Sequence, residues 1–271
     1  PSGIIATSTI YTSTSRKGGI EIWRPKLLTV LKGHTETVSS ISWSPVGDLL
    51  ASASYDESVR VWSAKTGALI QTLRGHVSLV RSVAFDSDGK RLASASDDRS
   101  VKIWDAQTGK LIRTLEGHTA NIYKVCWSPD GRQVASASND VTVRVWDVAT
   151  GEVLHTLSPK DHPHGYNSVA WSPDGRMLAS GTHPSIHIWN PITGELSSSI
   201  KASVHSVRDL KWSGDSKTLA SGSNDRTVKL WDAATGQLLQ SITTDDAVYE
   251  IAWSRDGKRI GTTRLVHPQI W

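Results

Sequence analysis

The chain has 271 residues and a formal net charge of +4, with 30 Lys and Arg set among 26 Asp and Glu. No run of about 18 apolar residues is present to form a membrane-crossing helix, and residues 1–15 lack the basic start and apolar middle of a secretory leader. The basic excess contains no long block of one sign, so nucleic acid is not implied. One cysteine, Cys126, excludes an intrachain disulfide and fits a reducing compartment, cytoplasm or nucleus.

In chain order, residues 1–23 align without a gap onto residues 40–62, setting Ile10 on Leu49, Ser13 on Ser52, Ile20 on Val59 and Trp23 on Trp62. That phase nearly removes the first strand of the first repeat. Trp23, Trp62, Trp104, Trp146, Trp189, Trp231 and Trp271 each close a short alternating run, at separations of 39, 42, 42, 43, 42 and 40 residues. Each repeat reads as four strands. In the one ending at Trp104, VRSVAF (80–85) alternates, DSDGK turns, RLASAS (91–96) is a second strand, DDRS turns, VKIW (101–104) alternates, and a TG turn leads into KLIRTL (110–115). Gly47, Gly89, Gly131, Gly175 and Gly257 sit in Asp-Gly type bends that tolerate positive φ, whereas Gly214 and Ser216 break the pattern in the repeat ending at Trp231. No helical apolar period appears. The fold is expected to be all-β, and a fixed repeat through the chain argues for one domain over residues 1–271. The chain stops at Trp271, where earlier repeats run on through a TG turn into a further strand.

Three repeats carry a matching set: His34, Ser52, Asp56 and Trp62; His76, Ser94, Asp98 and Trp104; His118, Ser136, Asp140 and Trp146. Ser, His and Asp together suggest a hydrolase, but a nucleophile must be exposed beside a site for the reacting atom, and one catalytic site need not recur three times. A buried polar chain accounts better for the recurrence. The indole N–H only donates and an ionised Asp only accepts, so Ser and His, which do both, can link them. No catalytic residue is assigned. The set decays elsewhere: His162 and Ser180 remain but His183-Pro184 stands where Asp is expected; Ser203, Ser221 and Asp225 stand in the next repeat; Thr262 and Trp271 remain in the last; Lys17 replaces Asp in the first.

His162, His164, His183 and His187 fall in one repeat, yet their spacing is no known ligand signature, so they read as ordinary loop histidines and no metal is assigned. Arg60, Lys102, Arg144 and Lys229 recur two residues before each Trp; stems packed along the sheets, with solvated heads, are preferred to a phosphate-binding belt. Lys90, Arg91, Arg132, Arg176, Lys258 and Arg259 make the ends with the first turns basic, and usable by an acidic partner. No P-loop, dinucleotide fingerprint, zinc-protease helix or nucleophile elbow occurs, so no cofactor is expected.

The GH pairs at 33–34, 75–76 and 117–118, the WD pairs at 104–105, 146–147 and 231–232, and the period near 42 resemble the WD-repeat family over essentially the whole chain. The resemblance implies a seven-bladed β-propeller of four-stranded antiparallel blades, incomplete at the chain ends, or six blades if the residues around Trp23 only close the ring. Ring closure implies that residues 3–9, GIIATST, supply the missing outer strand of the last blade, or that the natural chain continues further. The four-residue set then becomes an intra-blade network. The family implies a non-enzymatic, monomeric platform for a protein or peptide partner, or for other domains of a longer chain; a small-molecule binder using the central channel is the alternative.

Family propellers bind at the face carrying the GH loops, through positions flanking the start of each innermost strand and preceding the second turn's Asp. Here these are Thr37, Ser39 and Tyr55; Leu79, Arg81 and Asp97; Asn121, Tyr123 and Asn139; Gly165, Asn167 and His183; Ser206, Arg208 and Asn224; Ala247 and Tyr249. Tyr55, Leu79, Arg81, Asp97, Asn121, Tyr123, Asn167, Arg208 and Tyr249 are the candidate contacts. The mixture of Tyr and Arg suits interface hot spots. The expected partner carries an acidic residue for Arg81 or Arg208 and an apolar or aromatic one for Tyr123 and Tyr249.

Overall fold

A computed structural model describes residues 5–9, 19–23, 27–159, 162–254, 256–263 and 269–270. Ile10, Ser13, Lys17 and Trp271 lie outside the described residues. The chain divides into two compact units, residues 1–127 and 128–271.

The first unit begins with β1 (Ile5–Thr9), β2 (Gly19–Trp23) and β3 (Leu27–Leu31), which form a three-stranded sheet in that order. Next come β4 (Val38–Trp43), β5 (Leu49–Ser54), β6 (Ser58–Ser63) and β7 (Leu69–Arg74), a four-stranded antiparallel meander. A second meander has β8 (Val80–Phe85), β9 (Arg91–Ser96), β10 (Ser100–Asp105) and β11 (Leu111–Glu116), and β12 (Ile122–Trp127) closes the unit. One expectation is corrected here. Ile5–Thr9 pairs antiparallel with Gly19–Trp23 of its own sheet, Ile5 opposite Trp23, so this segment does not serve as an outer strand of the last repeat. The gap-free alignment sets residues 10–15 on Leu49–Ser54, later in the chain than the observed β1.

In the second unit, β13 (Gln133–Ser138), β14 (Val143–Asp147) and β15 (Val153–Leu157) pair in sequence. Two meanders follow: β16 (Ser168–Trp171), β17 (Leu178–Gly181), β18 (Ser185–Trp189) and β19 (Leu196–Lys201), then β20 (Val207–Trp212), β21 (Thr218–Ser223), β22 (Thr227–Asp232) and β23 (Leu238–Thr243). β24 (Glu250–Trp253), β25 (Ile260–Thr263) and β26 (Gln269–Ile270) form a three-stranded sheet. The described residues are thus all-β, with strand sets that follow the repeats and full meanders flanked by shorter sheets near the chain ends.

The sequence of each strand follows its depth. The second strand of a meander, such as RLASAS in β9, is buried on both faces, and Ala and Ser let neighbouring sheets come close. Val59 and Val61 of one sheet pack in one cluster with Val80, Val83, Phe85, Leu92 and Trp104 of the next; burying a side chain such as Leu92 contributes about 2 kcal/mol. Outer strands are exposed at their starts, as at Leu111 and Ile112.

The turns also follow the chemistry. Asp105 Oδ1 accepts from the backbone N–H groups of Gln107 and Thr108 and from the Thr108 hydroxyl, while Gly109 takes a φ of 72°. The Asp of the WD pair thus fastens the TG turn. The bends at Gly47, Gly89, Gly131, Gly175 and Gly257 have positive φ as expected. Ser216 takes over that conformation with a φ of 61°, so the displaced Gly214 does not abolish the turn. The second turn adds a feature that glycine counting misses: Glu57, Arg99, Val141 and Arg226 are all left-handed.

Candidate partner-binding end and the buried relays

In the first unit two relays are complete. Trp62 Nε1 donates to Ser52 Oγ at 2.8 Å, Ser52 Oγ lies 2.7 Å from His34 Nε2, and His34 Nδ1 lies 2.7 Å from Asp56 Oδ2. Trp104, Ser94, His76 and Asp98 repeat these distances. The directions are consistent when Ser donates to His Nε2 and His donates from Nδ1. Burial pushes the Asp56 and Asp98 carboxyls up, but hydrogen bonds from His34 and Ser58, or from His76 and Ser100, outweigh it and hold both below the usual carboxylate range. The Ser52 and Ser94 hydroxyls, on fully buried residues, are engaged by indole and imidazole, which suits a strut and not a nucleophile.

The second unit keeps the indole–hydroxyl bond and varies what lies beyond it. Trp146, Trp189 and Trp231 donate to Ser136, Ser180 and Ser221 at 2.8 to 2.9 Å. Asp140 accepts from Thr142, while His118, in the first unit, is buried. His162 bonds Thr182 Oγ1 at 2.9 Å, and the fully buried Tyr166 hydroxyl pairs with His187 Nδ1 at 2.8 Å. His187 is therefore no loop histidine, as the sequence reading had it: burial and then the charge of His162 lower its pKa to about 4. His164 and His183 have ring centroids 4.9 Å apart. Among the described residues no group of three or more His, Cys, Asp or Glu is arranged to hold a metal ion. In the next repeat Ser203 Oγ donates to Asp225 Oδ2 at 2.6 Å in place of His. Thr262 is buried at the last Ser position.

The cations before each Trp pack inward. Arg60, Arg144 and Lys229 lie 5.8 to 6.0 Å from the Trp62, Trp146 and Trp231 ring centroids, and Lys102 Nζ donates to Thr114. A phosphate belt is not what these contacts favour. At the first-turn ends, Arg91 is paired with Asp86 at 2.7 Å and lies over the Trp127 ring, and Lys90 is paired with Asp88 at 3.1 Å. Arg91 is thus engaged, whereas Lys90, Arg132, Arg176, Lys258 and Arg259 are exposed. In the second unit the first-turn end holds a concavity of about 310 Å³ lined by Pro129, Trp171, Pro191 and Ile192, with Asp130 and Asp174 beside them.

At the GH-loop end, the candidate positions of a repeat meet through the backbone. Tyr55 N donates to Thr37 O, Asp97 N to Leu79 O and Asn224 N to Ser206 O. The side chains then assemble. Arg81 donates through Nε and Nη2 to both oxygens of Asp97, at 2.9 and 2.6 Å, through Nη1 to the Tyr55 hydroxyl, and stacks 4.7 Å from the Tyr55 ring centroid. Arg208 Nε donates to the amide oxygen of Asn224 at 3.0 Å, with its guanidinium 6.0 Å from the Tyr249 ring centroid. Leu79, Asn121, Tyr123, Asn167 and Tyr249 are half-buried. Gly165 approaches Asn139 so closely that an added Cβ would lie 2.7 Å from its Cα.

Sequence reasoning missed a second set of tryptophans, at the ends of the innermost strands. Trp127 Nε1 donates to Ala84 O at 3.0 Å, Trp212 Nε1 to Ala170 O at 3.0 Å and Trp253 Nε1 to Lys211 O at 3.2 Å. Each bond ties an innermost strand to that of the preceding repeat. Their period of about one repeat was the available signal.

The family model for the "IFT122 first beta-propeller" matches residues 100–267, more than half of the chain, and the model "WD domain, G-beta repeat" matches residues 25–63 and 67–105. The chain belongs to the WD-repeat β-propeller family. Among curated WD-repeat relatives, Protein HIRA of Xenopus laevis is 40% identical over 63 residues, 23% of this chain and 6% of that protein. The probable cytosolic iron-sulfur protein assembly protein Ciao1 of Culex quinquefasciatus is 50% identical over 46 residues, 17% of this chain and 13% of that protein. Coronin-7 of Mus musculus is 48% identical over 52 residues, 19% of this chain and 6% of that protein. The matched stretches thus span a small part of each relative. WD-repeat domains generally mediate protein–protein interactions as non-enzymatic scaffolds.

Proposed function

We propose that this WD-repeat chain is a non-enzymatic interaction platform that binds a segment of a partner protein at its GH-loop end. Residues 1–271 are read as one monomeric propeller, acting in the cytoplasm or nucleus. The observation that carries the reading is the contrast between inside and rim. The Trp, Ser and His side chains that repeat are spent on buried relays, whereas half-exposed Tyr55, Arg81, Tyr123, Asn167, Arg208 and Tyr249 differ from repeat to repeat. Large aromatic and guanidinium surfaces of this kind supply contact area and directed hydrogen bonds at small ordering cost.

The expected acidic contact moves from Arg81 to Arg208, since Arg81 is already forked onto Asp97. The relatives are much longer than the stretches they share with this chain, which favours, as a second reading, a module whose partner is another domain of a larger protein.

The test compares the two ends. Tyr123→Ala with Asn167→Ala is expected to reduce partner capture and leave the melting temperature within a few degrees of the parent. Lys90→Glu with Arg132→Glu at the first-turn ends is expected to leave capture intact. The opposite pattern overturns the assignment.

A further inference from the structure

The two rim arginines are placed alike and finished differently. Arg81 follows the first residue of β8, and Arg208 follows the first residue of β20; each reaches the residue 16 positions later, Asp97 in one case and Asn224 in the other. Each guanidinium also lies against a tyrosine ring, Tyr55 or Tyr249. At Arg81 every edge of the guanidinium is taken, by the two Asp97 oxygens and the Tyr55 hydroxyl, and hydrogen bonding to Asp97, against the cost of burial, raises its pKa further. That site is closed and its charge cancelled.

At Arg208 the corresponding oxygen is a neutral amide. It accepts from Nε, orients the group, and leaves the charge uncompensated. Among the described residues no acceptor lies on the two Nη groups. The neighbouring carboxylates are committed elsewhere: Asp225 accepts from Ser203 and Thr227, and buried Asp209 accepts from the Ile251 N–H. A half-buried guanidinium, held at one edge and supported on a tyrosine face, presents two parallel N–H donors in the geometry that a carboxylate fills.

We propose that Arg208, Asn224 and Tyr249 form a carboxylate-binding site that anchors the acidic side chain of a partner peptide. This deepens the platform reading and rests on it. The Nη groups of Arg208 donate to the two carboxylate oxygens, Asn224 holds Nε in place, and the Tyr249 ring borders the stem of the bound side chain. Arg81 and Asp97 are the same fork with the ligand built in, its tyrosine, Tyr55, coming from the preceding repeat where Tyr249 comes from the following one.

The internal comparison supplies the experiment. The 15N-labelled chain is titrated with sodium acetate against sodium chloride at equal ionic strength, following arginine Nε–H signals assigned with Arg208→Lys and Arg81→Lys. The Arg208 signal is expected to move saturably with acetate, and the Arg81 signal to stay. Asn224→Asp, which supplies an internal carboxylate, is expected to weaken the acetate response on the order of ten-fold or more. Asp97→Asn is expected to make Arg81 respond. An Arg208 signal that is silent, that moves equally with chloride, or that is indifferent to Asn224→Asp overturns the site; so does a response to inorganic phosphate without one to acetate. Partner capture separates this from the wider reading. Capture lost in the Tyr123→Ala, Asn167→Ala protein with a silent Arg208 removes the anchor alone, whereas a responsive Arg208 with capture unchanged by those substitutions removes the peptide platform.

Discussion

The sheets ending at Trp104 and Trp189 solve one problem in two ways. Both donate the indole N–H to a buried serine at 2.8 Å. Beyond that serine, the first continues through His76 to the charged Asp98 at a second turn, and the second has no Asp and fills the space with His162, His187 and Tyr166. The strand register survives both, with the bulge before Trp104 repeated before Trp189. The comparison teaches that the indole–hydroxyl bond is the fixed part, and that the groups beyond it vary from repeat to repeat.

The largest expected effect breaks the charged arm. Asp98→Ala leaves His76 and Ser100 without their acceptor and costs about 2 to 3 kcal/mol in chemical denaturation. Asp174→Ala, at an exposed turn where Ser172 and the Arg176 N–H are its partners, costs no more than about 1 kcal/mol. Equal losses would remove the distinction between relay and turn.

The neutral arm is sharpened by pH. The His187 pKa is lowered from 6.5 to about 4 on folding, by burial and the nearby His162. Its contribution is therefore complete above pH 6.5 and is lost as pH falls from there toward 4, because the unfolded chain takes up a proton that the folded chain refuses. The groups facing it are His162, Tyr166 and Trp189, so no carboxylate offsets the loss among them. Stability is expected to drop by about 2 kcal/mol across this window, and His187→Gln to flatten that slope. Asp56 and Asp98, with lowered pKa values, lose their contribution only at more acidic pH. An unchanged slope between pH 6.5 and 4 in the variant would separate His187 from any acid sensitivity.

The smallest effect has the opposite sign. Val141 is a β-branched residue at a φ of 68°, a conformation that costs an L side chain roughly 1 kcal/mol and that asparagine tolerates better. Val141→Asn is expected to raise the melting free energy by up to about 1 kcal/mol, and a loss of stability would mean that the valine side chain contributes packing that outweighs the strain.

Much of the architecture was legible in the sequence because it is periodic. Alternation placed β8 and β9 at their observed bounds and β10 and β11 within a residue, and donor and acceptor inventory identified the relays of Trp62 and Trp104. What failed to show was what departs from the period. Nothing in the spacing of Tyr166 and His187 says that they pair, because each stands where other repeats carry a different type, valine at Val207 and Val248 and a cation at Arg60, Lys102, Arg144 and Lys229. The left-handed residues of the second turns escaped because Glu, Arg and Val carry no compositional mark of positive φ. At the GH-loop turns, residue type singled out Arg81 and Arg208, but whether an arginine is open or closed depends on one atom of its partner, Asp97 or Asn224.

The indole bonds of Trp127, Trp212 and Trp253 bear on how such a chain can lengthen. In these three cases an innermost strand offers a carbonyl that the tryptophan of the next repeat caps, with donor and acceptor 42 to 43 residues apart, whereas Trp171 turns back to Gly175 O and the Phe85 ring has no N–H to give. Copying in tandem a whole repeat that carries such a tryptophan, as Trp127, Trp212 and Trp253 do, therefore adds one donor and one acceptor together and reproduces a junction already present. A duplication of half a repeat would strand an indole without its carbonyl. Growth by whole units is thus written into the hydrogen bonding itself, and a gene that slips by one period yields a protein whose new interface is already tested.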